Sequence, residues 1–105
     1  MASAGNERPW RTGREASQNS LELVLIDRTY VLPWTQFLYA EGGDDEVHLT
    51  FATHDVLVRG AGLQLLLTDV AAHRLVGVNE PLRADRFTAR TGVWVRELVV
   101  TKVDG

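Results

Sequence analysis

From Leu21 to Trp34 the apolar residues alternate on either side of the polar pair Asp27-Arg28. Successive side chains of a strand point to opposite faces, so this pattern predicts a hairpin with a two-residue turn at Asp27-Arg28. That turn sets Leu25 opposite Tyr30, Leu23 opposite Leu32 and Leu21 opposite Trp34, all on one face. The other face carries Glu22, Val24, Ile26, Thr29 and Val31, so it is partly apolar too. Pro33 has no N–H to give to a ladder, which places it at an edge or a strand end.

Gln36 to Glu41 reads as a further strand, and Gly42-Gly43-Asp44-Asp45 as the loop after it. Val47, Leu49 and Phe51 then alternate with His48, Thr50 and Ala52. A bend at Thr53-His54 pairs Phe51 with Val56 and Leu49 with Val58 on the core face. His48 with Arg59 and Thr50 with Leu57 then lie on the outer face.

The period changes after Gly62. Leu63, Leu66, Leu67 and Val70 fall at i, i+3, i+4 and i+7, one stripe of a helix predicted over residues 62–74. Leu65 lies off that stripe and calls for a second buried face or a partner. Leu75–Val78 reads as a short strand, residues 79–91 as a polar loop, and Gly92–Val103 as a long strand apolar on both faces. The expected fold is α+β: a mostly antiparallel twisted sheet or half-open barrel of about six strands, with one helix packed on it. Residues 1–19 have no period and one large apolar side chain, Trp10. They are read as a disordered N-terminal tail, and residues 20–105 as a single small domain.

Composition narrows the chemistry. The 105 residues are 45% hydrophobic and 24% charged, which excludes a fully disordered chain. The absence of cysteine removes disulfides, thiolate metal sites and a cysteine nucleophile together. No apolar run approaches the length of a membrane span, so the expectation is a soluble, cytoplasmic protein with no membrane partner. The serines are Ser3, Ser17 and Ser20, and neither a nucleophile elbow nor a phosphate-binding lysine loop is present. No catalytic residue, metal site or cofactor is therefore assigned.

His48, His54 and His73 share no spacing that would gather ligands round one ion. His48, His54 or Asp55 in a cleft is the one weak enzymatic reading. Glu41, Asp44, Asp45 and Glu46 lack the ligand order of a calcium loop and read as a solvated hairpin tip. Gly60-Ala61-Gly62 before the helix offers backbone N–H groups to an anion, although such a turn needs glycine in any case.

Ten of the eleven basic residues are arginine, a bias that a GC-rich genome would produce. Charge is nonetheless segregated: residues 41–69 hold six acids against Arg59, and residues 74–96 hold five arginines against Glu80 and Asp85. Arg83, Arg86 and Arg90, with Arg96 beside them, are the candidate ligand-binding residues, since arginine forks suit phosphate and carboxylate. Phe87 and Trp94 would supply the stacking that single-stranded nucleic acid uses, but the acidic whole disfavours that partner. Leu57, Leu65 and Trp94 are the candidate interface residues. The function expected is that of a small non-catalytic bacterial binding or assembly module, acting on itself as a homo-oligomer or on a protein partner. The alternative is a nucleic-acid- or anion-binding domain using the loop 83–90.

Overall fold

The computed structural model describes residues 8–13, 19–82 and 92–103. Its elements in chain order are β1 (Arg11–Thr12), β2 (Ser20–Val24), β3 (Thr29–Pro33), a 3-10 turn (Trp34–Gln36), β4 (Phe37–Gly42), β5 (Glu46–Phe51) and β6 (His54–Ala61). The helix α1 (Gln64–Ala71), β7 (Leu75–Asn79) and β8 (Trp94–Lys102) follow. The strands form two four-stranded sheets, ordered β1-β7-β2-β3 and β4-β5-β6-β8. Every pairing is antiparallel except β2 with β7. The fold is α+β, as the periodicity predicts, and the two sheets do not close into a barrel.

Alternation carries both sheets. Leu21 and Leu23 of β2, Val47, Leu49 and Phe51 of β5, and Val56 and Val58 of β6 are all buried, with half-buried or exposed residues between them. The same core takes in Leu63 and Leu66 from the helix region, Leu75 and Val78 from β7, and Val95 and Leu98 from β8.

Both hairpins keep the predicted faces in a different register. Leu21 pairs with Leu32 and Leu23 with Tyr30, across the four residues 25–28, where the Leu25 N–H donates to the Arg28 carbonyl at 2.7 Å. Asp-Arg is poor at the positive φ that a two-residue hairpin turn needs, and a four-residue loop removes that demand. In the second hairpin Leu49 pairs with Val56 and Val47 with Val58, so the bend is Ala52-Thr53 and His48 faces Leu57. Each register moved by two residues. A shift of one would have turned every side chain to the wrong face, whereas a shift of two preserves the buried set.

The helix is shorter than predicted because of its two ends. Gly62 has φ +70° at the entry, where a Cβ would strike Val93. At the exit the Arg74 N–H donates to the Asp69 carbonyl at 2.9 Å and the His73 N–H to that of Val70 at 3.1 Å. This is a Schellman cap, whose left-handed residue is usually glycine. Here it is His73, at φ 59°. A side chain in that conformation costs about 1–2 kcal/mol, part of which glycine returns as unfolded-state entropy. His73→Gly is therefore expected to stabilise the domain by about 0.5 kcal/mol. Urea unfolding reads this as a small rise in midpoint; a fall would mean that imidazole contacts outweigh the strain.

The expected tail is corrected for part of its length. Arg8 to Gly13 packs into the domain: Trp10 is 4% exposed, β1 pairs with β7, and the Gly13 N–H donates to the Arg74 carbonyl at 2.8 Å. Two residues of strand give no alternation to read, and the hydrogen-bond partner of Trp10 is 59 positions away. The rest of the predicted tail, residues 1–7 and 14–18, lies outside the described residues.

Candidate functional site

Three of the four candidate ligand-binding arginines, Arg83, Arg86 and Arg90, lie outside the described residues, as does Phe87. Arg96 is exposed on β8, where the β6 pairing slips between Arg59 and Gly60. Of the candidate interface residues, Leu65 is half-buried and packed against the core, so much of it is taken up by the domain itself. Leu57 and Trp94 both lie on the β6–β8 ladder but four positions apart along it, since Leu57 faces Val99 and Ala61 faces Trp94.

The outer face of the second sheet is built from β5, β6 and β8. Arg59 bridges Glu46 and Glu97, each contact at 3.5 Å, and His48 Nε2 lies 3.1 Å from Glu46 Oε2. These groups are a third to a half exposed, so water screens them and the network adds little stability. Beside this charged row, Leu57 and Val99 form an apolar pair, with Val99 37% exposed.

The four sheet edges differ in what they offer. β1 has two residues, β3 ends at Pro33, and β4 is broken at Leu38 by a shift in its pairing with β5. β8 has nine residues and, among the described residues, hydrogen-bonds to β6 alone. A strand paired on one side only leaves about half of its backbone donors and acceptors pointing outward.

The other histidines and acids are placed more plainly. The His54 ring meets Tyr30 edge-on at 5.3 Å and its Nδ1 lies 2.8 Å from the Thr53 hydroxyl. Asp55 is exposed, facing Thr50 and Thr101 across the ladders. No group of three or more His, Asp or Glu side chains is placed to hold a metal ion among the described residues. The Asp44 and Asp45 carbonyls accept from the N–H groups of Leu63 and Gly60 at 2.8 and 3.1 Å. The acidic loop thus ties the β6–α1 junction by its backbone, and the Gly60 N–H of the glycine turn is already bonded, as is that of Leu63 after it.

The densest polar site is one that spacing did not single out. Asp69, on the buried side of α1, is 1% exposed. The Trp10 indole N–H donates to its Oδ2 at 2.7 Å, and Arg8 Nε lies 2.7 Å from the same oxygen. Arg74 Nη2 reaches Oδ1 at 3.5 Å. An open cavity of about 230 Å³ lies beside them, lined by Arg8, Trp10, Thr12, Asp69 and Arg74. Asp69 lies off the apolar stripe of Leu63, Leu66, Leu67 and Val70, so the helical period did not mark it for burial; a buried charge requires partners, and folding supplies them.

Comparison with known proteins adds no analogy from which to read this geometry: no family model, no curated protein and no solved structure matches the chain.

Proposed function

We propose that the chain is a small non-catalytic assembly module that pairs with a second copy of itself along β8. The observation that supports this reading is the contrast among the four edges: β1 has two residues, β3 ends at Pro33 and β4 has six with a break at Leu38, whereas β8 has nine, keeps Glu97–Lys102 in unbroken register beyond its own break at Arg96, and pairs on one side only among the described residues. Natural sheets blunt their edges against unwanted pairing, so an edge left open invites a strand. Val99 and Leu57 beside it supply apolar area to bury once backbone hydrogen bonds align the copies. Arg96 and Lys102 stand near the ends of the strand, where charge limits runaway addition.

Light scattering during gel filtration tests the reading. The expected result is a mass twice that of the chain at tens of micromolar, falling to the single-chain mass in Val99→Lys with unfolding behaviour unchanged. A wild-type chain that stays monomeric at several hundred micromolar overturns it. So does a Val99→Lys variant that dimerises equally well.

A further inference from the structure

We propose that the cavity beside Asp69 is a binding site for a small oxyanion of the phosphate class, held by Arg74, Arg8 and the Thr12 hydroxyl. This does not depend on the assembly reading, because the cavity and the β8 edge share no residue.

The first argument is charge. Two guanidinium groups converge on one carboxylate, so these three groups sum to +1 at the wall of the cavity. The carboxylate's negative charge is offset by its partners. Its Oδ2 is already taken by the Trp10 N–H and Arg8 Nε, and Asp69 as a whole is buried. Arg74 stands differently. Its side chain is 46% exposed, and its contact with Oδ1, at 3.5 Å, is too long for a strong charge-assisted hydrogen bond. A guanidinium with donors in a planar fork, turned partly to solvent at a cavity wall, suits two oxygens of one anion.

The second argument is rigidity. Arg74 follows the left-handed His73, and its own N–H closes the helix cap on the Asp69 carbonyl. Its carbonyl accepts from Gly13, next to Thr12. The backbone of both walls is therefore fixed by hydrogen bonds before a ligand arrives, which lowers the ordering cost of binding. At about 230 Å³ the cavity exceeds a single water several-fold, so it has room for a phosphate group and its nearest substituent.

The Trp10 indole N–H is the built-in probe, since it donates to the carboxylate at the cavity wall. In a ¹H–¹⁵N spectrum it is one of three indole signals and is assigned by its loss in Trp10→Phe. Inorganic phosphate, titrated against chloride at constant ionic strength, is expected to move that signal saturably, with half-saturation at about 1–10 mM, the range of one modest polar site. Arg74→Ala is expected to weaken the response at least about tenfold, one strong charged contact. Arg74→Lys, which keeps the charge and loses the fork, should fall between. Arg28→Ala, in the exposed β2–β3 loop, should respond as wild type. A Trp10 signal that does not move in the wild-type chain overturns the proposal without any variant having to fold. Equal movement in chloride, or in Arg74→Ala, also overturns it.

Discussion

Asp69→Ala is expected to destabilise the domain by about 3 kcal/mol, a large share of the 5–15 kcal/mol that holds a domain of this size folded. The reason lies in what the carboxylate leaves behind. The Trp10 N–H is buried and points at Asp69 Oδ2, and alanine offers it nothing to donate to. An unpaired buried donor costs about 1–3 kcal/mol. Arg8 loses one contact, at 2.7 Å, while only 22% exposed, so water compensates it in part. Arg74 is half exposed and can turn to solvent, so it contributes little to the loss. Thermal unfolding should show a midpoint lower by roughly 12–24 °C. Asp69→Asn keeps an acceptor for Trp10 and loses the attraction to Arg8, so it should fall between. An Asp69→Ala protein as stable as wild type would mean that the cluster is held by its apolar surroundings and not by the carboxylate.

What could be read in the sequence divides along a physical line. Faces were legible, because alternation depends only on whether a residue is in or out. Leu21, Leu23, Leu25, Tyr30, Leu32 and Trp34 all belong to the core or pack against it, as expected. Register was not legible, because the turn sets it. A loop such as Leu25–Arg28 is fixed partly by distant groups: the Ile26 N–H donates to Glu80 Oε1 at 2.9 Å, and the Glu80 N–H to the Val24 carbonyl at 2.7 Å. The parallel pairing of β2 with β7 was illegible for the same reason, since partners more than 50 residues apart leave no local pattern. For the candidate sites, spacing drew attention to arginines close in sequence. The described cluster draws on residues 8, 10, 12, 69 and 74 and exists only after folding. Asp69 left no trace in the spacing, because it lies off the stripe of Leu63, Leu66, Leu67 and Val70.

The tryptophan on the other side of that contact gives the second large effect. Trp10→Ala is expected to cost about 3–5 kcal/mol, the usual loss for a buried tryptophan. Two contributions can be separated. Trp10→Phe keeps most of the apolar burial and removes the N–H, leaving Asp69 Oδ2 with Arg8 alone, so it should cost about 1–2 kcal/mol. The remainder belongs to the ring filling space among core residues, where a truncation leaves a cavity that the surroundings close only in part. Because Trp10 and Asp69 share one hydrogen bond, the double alanine variant should lose less than the two single losses together, by about 1–3 kcal/mol. Urea unfolding of the four proteins measures that coupling. Additive losses would show that indole and carboxylate act independently despite the 2.7 Å contact. Deleting residues 1–13 removes Trp10, Arg8 and the β1 pairing together, so it should destabilise at least as much as Trp10→Ala. A deletion that leaves stability unchanged would return this segment to the dispensable tail that its sequence suggests. The expected loss instead makes a segment without periodicity part of the core, held there by one aromatic ring and one buried acid.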